Sequence, residues 1–248
     1  MLRMTDWIVP EWPTPAGIRS VITSRRGGCS DPPYGTLNLA DHVGDDRERV
    51  RRNRQHLTSV LALPSEPFWL QQVHGCDLVE CGQSGCGPAA DAVTTVDSGR
   101  VCAVLTADCL PLLLCNRAGN RVAAVHAGWR GLAAGVIEAA LAAFDDPGEE
   151  LLAWLGPAIG PDAFEVGDEV REVFLRASPA DEPAFSPSGA GRWLANIYLL
   201  AENRLRRHNL SFVGGGGYCT LSEPERFFSY RRDGITGRMA SLIWIEPD

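Results

Sequence analysis

The sequence predicts an α+β fold built as a single domain over residues 1–248. Three observations lead there. Short apolar, strand-like runs are interspersed with stretches of helical periodicity, without the regular strand–helix rhythm of a doubly wound sheet. No internal repeat is visible. The nearest thing to an interdomain linker is Asp181 to Gly191, DEPAFSPSGAG, which reads as a mobile loop. With 248 residues and 45% hydrophobic content, the chain can bury a substantial core.

In chain order, Ile18 to Arg25 reads as a strand before Arg26, Gly27 and Gly28. The loop-like PPYGTLNLADHVGDD follows, with Asn38 and His42 as its distinctive polar groups. Asp45 or Asp46 then caps a helix, RERVRRNRQHLTSVLAL, that places Val50, Leu57 and Leu61 on one face and arginines elsewhere. Phe68 to Val73 is a short strand ending at His74 and Gly75. In CDLVECGQSGCGPAADAVTT, Cys76, Cys81 and Cys86 are evenly spaced in a glycine-rich loop, a spacing unlike the tight Cys-x-x-Cys pairs of structural zinc sites. Leu151 to Leu155 is a strand, Asp168 to Arg176 a helix, and Trp193 to His208 a helix with Leu194, Ile197, Leu200, Ala201 and Leu205 inward. The C-terminal segments, Phe212 to Val213 and FFSYRRDGITGRMASLIWI, read as strands, the latter around an Asp-Gly turn at Asp233 and Gly234.

The stretch Val101 to Phe144 concentrates the chemistry. Two apolar runs, Leu110 to Cys115 and Arg121 to His126, flank a polar segment of hairpin length containing a glycine that can take positive φ. Antiparallel pairing with Cys115 opposite Arg121 sets His126 opposite Leu110, one position from Cys109, with side chains roughly 5 to 7 Å apart. Pro111 makes a bulge plausible, which would change the faces but not the proximity. Past Gly128 and Gly131, the spacing of Leu132, Val136, Ile137, Ala140, Leu141 and Phe144 is helical. A strand therefore delivers His126 to a helix start whose free N–H groups, with Arg130 beside them, suit an anion such as phosphate.

Composition narrows the function. A net charge of −8 argues against nucleic acid or an anionic membrane as the main partner. All 23 basic residues are arginine, which excludes Schiff-base chemistry and the lysine of a phosphate-binding P-loop. The N-terminal MLRMTDWIVPEWPTP has charge, tryptophan and proline where a signal peptide needs an unbroken apolar core, so a cytoplasmic location is expected. The longest apolar run, Val101 to Cys115, contains Asp108 and Pro111 and falls short of the roughly 20 residues that span a bilayer. The eight cysteines accordingly read as reduced core residues or ligands. Nothing in the sequence specifies an oligomeric state.

His74, Cys109 and His126 are the one Cys/His set that chain geometry or loop position draws together. Two histidines and a thiolate leave one position of a tetrahedral zinc open, the arrangement of catalytic sites. Two rival readings use the same residues. Cys109 as nucleophile and His126 as base would make a metal-free cysteine hydrolase, and a closed site would make the trio purely structural.

The segments LQQVHG (70–75), DAVTT (91–95), TADCLPLLL (106–114), HAGWRGLAAG (126–135), GPAIG (156–160) and FSYRRDGITGR (228–238) resemble the bacterial laccase-domain or polyphenol-oxidase-like family. The likeness runs from about Arg19 to the C-terminus and includes LNLADHVGDD and the Asn53–Arg54 pair. The resemblance implies layered, mixed sheets packed between helices. It implies zinc held by His74, Cys109 and His126, and phosphorolysis of adenosine, inosine and S-methyl-5′-thioadenosine, with adenosine deamination as a second activity. Its partners would be small-molecule nucleoside and phosphate. Asn38, His42, Arg130, Tyr230 and Arg231 are the candidate substrate-binding residues, with Arg232 and Arg238 as further guanidiniums and Asp108 as a candidate proton shuttle. Relatives of the family assigned to editing peptidoglycan precursors supply the alternative of amide hydrolysis. Multicopper laccase chemistry is disfavoured: its copper sites need about ten histidines, mostly in His-x-His pairs, and this chain has five and no such pair. Copper remains a possible occupant of a Cys/His site by the Irving–Williams order.

Overall fold

The computed structural model describes residues 7–82 and 86–247; the first six residues of the N-terminal stretch, and 83–85 of the cysteine-bearing loop, lie outside it. After β1 (Ile18–Ile22) and the front loop comes α1 (Arg47–Val60), N-capped by Asp46, whose carboxylate accepts the Arg49 N–H. β2 (Trp69–Gln71), β3 (Leu78–Glu80), β4 (Cys86–Ala89) and β5 (Ala92–Thr95) are short, and β6 (Val101–Thr106), β7 (Leu110–Asn116) and β8 (Val122–Ala127) are buried throughout. α2 (Trp129–Ala134), α3 (Val136–Ala142), β9 (Leu151–Leu155), β10 (Glu165–Gly167), α4 (Asp168–Ala177), β11 (Phe185–Gly189) and β12 (Arg192–Ala195) follow. The chain closes with α5 (Ile197–Arg207), β13 (Phe212–Gly215), α6 (Tyr230–Asp233) and β14 (Met239–Ile245).

The continuous apolar runs of β7 and β8 have a simple cause: both faces of their sheet are covered. In the mixed six-stranded sheet β13-β9-β7-β8-β5-β3, Leu112 and Leu114 pack with Val136, Ile137, Leu200 and Leu205 of the helices. The alternate residues, Leu113 and Cys115, pack with Val104, Ile22 and Ile243 of the three-stranded sheet β1-β14-β6. The outer face of that second sheet, through Val21, Leu105 and Leu242, covers Leu57 of α1. The result is a layered α+β domain: helices, a mixed sheet, an antiparallel sheet and a helix.

Several local expectations are corrected. In the β7–β8 hairpin His126 lies opposite Pro111, and Cys115 opposite Val122 rather than Arg121. Asn116 causes the shift, since its side-chain oxygen accepts the N–H groups of Asn120 and Arg121 and closes the turn one pair later, without a bulge between the strands. The helix beyond His126 is two helices, because Gly135 takes φ 96°, a left-handed conformation that interrupts it. Trp193 and Leu194 belong to β12, and the helix starts only at Ile197, where the Asn196 side chain caps it. The 181–191 loop is not a mobile segment but a 3₁₀ turn, Pro179–Ala184, running into β11, which pairs with β12. Tyr230 is helical rather than extended, because the Ser229 hydroxyl accepts the Arg232 N–H and starts α6.

Candidate metal centre

Two of the ligands come from chain reversals and the third, His126, from the end of β8. His74 follows β2 at φ 61°, and Asp108, which presents Cys109 between β6 and β7, has φ 95°. Left-handed conformations cost residues other than glycine about 1 kcal/mol or more and persist only where surroundings hold them. Here they are held. The carboxylate of Asp91, fully buried, accepts the N–H groups of Val73 (3.2 Å), His74 (3.0 Å) and Gly75 (2.6 Å). Asp108 accepts the Thr220 hydroxyl at 2.5 Å and the Arg231 N–H at 2.7 Å, while its own carbonyl takes the Ile159 N–H.

Asp91 also receives the Nδ1–H of His126 at 2.7 Å, so one carboxylate fixes both histidine-bearing segments and leaves Nε2 of His126 facing Cys109. The His74 and His126 rings meet edge-on with centroids 4.8 Å apart. One donor atom from each of His74, Cys109 and His126 lies within 4.8 Å of the others.

Electrostatics prepare the donors. Burial alone would push the Cys109 thiol up, but the charge of His126 and hydrogen bonds from both histidines bring it down to about 6. Burial opposes charge on His126 as well, yet the Cys109 thiolate and Asp91 raise it to about 9. Asp91, despite its own burial, is held below the usual carboxylate range by His126 and the backbone N–H groups.

The donor set fits a metal, and a further observation supports the fit. A Cβ at Gly128 would stand 2.9 Å from Cys109 Sγ and 3.1 Å from His74 Cδ2, so the cradle exists because position 128 has no side chain. Gly131 acts similarly one turn on, where a Cβ would come within 2.6 Å of the Gly75 carbonyl, and its absence lets α2 press against the His74 turn. Among the described residues no other His/Cys/Asp/Glu group has such an arrangement. Cys76 packs against the main core, and Cys81 is buried in the second.

The centre opens into a cavity of about 440 Å³, within the usual range for small-molecule sites. Leu105, Ala107, Trp129, Ile159 and Phe164 give it an apolar wall. Its polar rim is His42, Arg130, Arg231 and Arg238. Arg130 lies 4.4 Å over the Trp129 ring, Arg231 donates to the Glu165 carbonyl, and Arg238 donates to the carbonyls of Thr236 and Gly237. None of the three has a carboxylate in ion-pair range among the described residues. Burial, then the Arg238 charge, hold His42 below its ordinary pKa. Tyr230, 60% exposed, sits at the mouth.

Four expectations are redirected. Asn38 does not line the cavity: it is fully buried, bonded to Ala40 and Asp45, and its side-chain oxygen accepts the Arg238 N–H, so it shapes the segment that carries Arg238. Arg232 is spent on Asp233 and on carbonyls of Thr220 and Phe227. Asp108 lines the cavity, but both its oxygens already accept structural hydrogen bonds, an arrangement for a fixed acceptor rather than a proton donor. α2 is only six residues long with Gly128 at its N-cap, so it offers no helix dipole for an anion and only the Arg130 guanidinium remains as a candidate there. The roles of Asp91, Gly128 and Gln72 are not apparent from the sequence alone. DAVTT and HAGWRG carry the first two, and Gln72 pairs its side-chain amide with both backbone groups of Leu105 at the cavity edge.

Fold and site together define an α+β protein with a His–Cys–His donor set able to hold a metal ion, open to a cavity of small-molecule size. The chain belongs to the family described as multi-copper polyphenol oxidoreductase laccase, whose family model matches residues 19–246. A Pseudomonas aeruginosa protein named purine nucleoside phosphorylase is 52% identical over 244 residues, covering 98% of this chain and 100% of its own. An Escherichia coli K12 purine nucleoside phosphorylase, YfiH, is 52% identical with the same coverage of each chain. The crystal structure of Neisseria meningitidis protein NMB0706 is 47% identical, with a TM-score of 0.94, covering 98% of this chain and 100% of that one. These likenesses support an enzyme with small-molecule substrates. No helix among the described residues is long and apolar enough to cross a membrane.

Proposed function

We propose that this protein is a zinc-dependent purine nucleoside phosphorylase acting on adenosine, inosine and S-methyl-5′-thioadenosine, with a second activity that deaminates adenosine. One observation carries the reading: an open His–Cys–His donor set and three arginines without carboxylate partners face the same cavity. Phosphorolysis needs an anion site beside the sugar, and a metal-only hydrolase does not. The relatives named purine nucleoside phosphorylase, at 52% identity over their full length, agree with it.

In this reading the guanidiniums of Arg130, Arg231 and Arg238 hold phosphate by charge-assisted hydrogen bonds. The apolar wall, with Trp129 and Phe164, takes the face of the base and excludes water around the scissile bond. A phosphate oxygen forms the bond to C1′, the C1′–N9 pair of electrons leaves with the purine, and the base takes up a proton. His74, Cys109 and His126 would hold the zinc, with Asp91 fixing the tautomer of His126. Zinc bound there supplies Lewis acidity, polarising a substrate group or lowering the pKa of a water molecule. That second ability suits hydrolytic deamination, in which water replaces the amino group at C6 and ammonia leaves.

A second reading has its own support. Asp91, His126 and Cys109 are joined by hydrogen bonds in series, with a lowered thiol pKa, as in a cysteine hydrolase acting on amides such as those of peptidoglycan precursors. His74 separates the two, since such a nucleophile needs no second imidazole at the sulfur and a metal does. The test is chromatography of adenosine reactions with and without phosphate. Adenine and ribose 1-phosphate formed only with phosphate, plus inosine formed in either case, support the proposal. Turnover of a muropeptide amide by chelator-treated protein, with no nucleoside consumed, would replace it.

A further inference from the structure

A groove of about 760 Å³ lies beside the metal-centre cavity and shares His42 and Gln72 with it. Its other lining includes Trp69, Leu70 and three arginines of α1, Arg47, Arg51 and Arg54. Those three are spaced four and three residues apart, so they stand on one helix face. Against them the lining holds a single carboxylate, Asp41. A positive groove in a chain of net charge −8 runs against the overall field and needs a local reason.

The arginines differ in how they are held. Arg54 is fixed: its Nε–H donates to the Leu39 carbonyl at 2.9 Å, its guanidinium lies 4.4 Å over the Trp69 ring, and Asp41 is 3.8 Å away. Arg51 pairs with Glu48 on the exposed helix surface, a contact that solvent makes easy to exchange. Arg47 has no ion-pair partner among the described residues. The indole N–H of Trp69, a residue only 5% exposed, also lacks an acceptor among them. One fixed guanidinium and two exposed ones on the same helix face offer charge-assisted donors of the kind a phosphate group takes. The edge between cavity and groove is fixed, because the Gln72 amide is locked in both directions onto the Leu105 backbone at 2.8 and 2.7 Å. His42 and Gln72 line both, so a ligand reaching past that edge would touch the groove as well as the cavity.

We propose that this groove extends the substrate site and takes a phosphate group carried by the nucleoside, so that nucleoside monophosphates are ligands of the protein. The inference rests on the nucleoside reading of the neighbouring cavity, and its test keeps the two apart. Equilibrium binding of adenosine, adenosine 5′-monophosphate and inorganic tripolyphosphate is measured on the metal-loaded protein and on the Arg47→Ala/Arg51→Ala double variant, whose substitutions lie on an exposed face. The monophosphate is expected to bind the double variant about tenfold more weakly than wild type, a loss of about 1.4 kcal/mol, while adenosine binds both alike. Equal monophosphate affinity in the two proteins overturns the groove. If neither nucleoside ligand binds wild type, the nucleoside reading has failed. Tripolyphosphate then decides: binding lost in the double variant keeps the anion site, and no binding to wild type removes it.

Discussion

The metal centre and the arginine rim face one cavity but are built in opposite ways. At the centre the segments that carry the donors are fixed: four donors converge on the buried carboxylate of Asp91, and two on Asp108. At the rim, Arg130, Arg231 and Arg238 make only ring or carbonyl contacts and keep their charge for something else. The difference teaches how the work is divided. The centre positions its atoms through backbone hydrogen bonds that exist before any ligand arrives, whereas the rim completes its interactions only with one. Damage to the first should weaken or abolish metal binding, and damage to the second should weaken anion binding while leaving the metal in place.

The largest effect on the centre is expected from Gly128→Ala. Its Cβ enters the cradle between Cys109 and His74, and the account expects loss of metal and a fall in kcat/KM of about 100-fold or more, with the circular dichroism spectrum unchanged. Metal retained at wild-type affinity would show that the centre is looser than described. Next comes Asp91→Asn, which keeps the shape but weakens the hold on His126 and the His74 turn. Competition with a chelator should show metal affinity reduced by about 10- to 100-fold.

Proton linkage sharpens the picture further. Without metal, Cys109 titrates near 6 and His126 near 9, so between those values the pair is thiolate and imidazolium. A metal needs thiolate and neutral imidazole, so binding releases about one proton, from His126, across this window. Below pH 6 both groups must deprotonate, and above pH 9 neither does. Affinity should therefore rise with pH, by about tenfold per unit through the middle range, and level off above it. Calorimetry in buffers of different ionisation enthalpy measures the release directly. No proton release at pH 7.5 would contradict the ion pair.

At the rim the effects are smaller. Arg238→Ala should raise KM for phosphate by about tenfold, with metal content unchanged by mass spectrometry. Asn38→Ala should act through Arg238 alone, raising the same KM a few-fold, and it should lower stability by about 1–3 kcal/mol because buried partners lose their bonds. A loss of metal in either variant would erase the distinction between centre and rim.

Much of this arrangement is legible in the chain. The closeness of Cys109 and His126 follows from a five-residue polar turn between two apolar runs, and it survives the one-residue register shift because neighbouring positions in a hairpin stay within reach. The continuous apolar character of β7 reflects cover on both faces. The placement of Asp91 is not legible, since nothing local tells a carboxylate before a strand from one that will be buried against a turn 16 to 18 residues earlier. Asn38 misleads for the same reason: a polar residue in a loop can face the cavity or tie the loop together, and only the packing of the Arg238 segment decides. Tyr230 shows how a single cap, Ser229, overrides the strand preference of the aromatic run beside it.

Metal and activity are tied together by plasma mass spectrometry on untagged protein, wild type beside Cys109→Ala, each assayed for adenine release from adenosine with phosphate. About one zinc per chain is expected in wild type, with loss of both metal and adenine release in the variant. Wild-type protein that is metal-free yet releases adenine at full rate would contradict the zinc reading and make Cys109 a nucleophile.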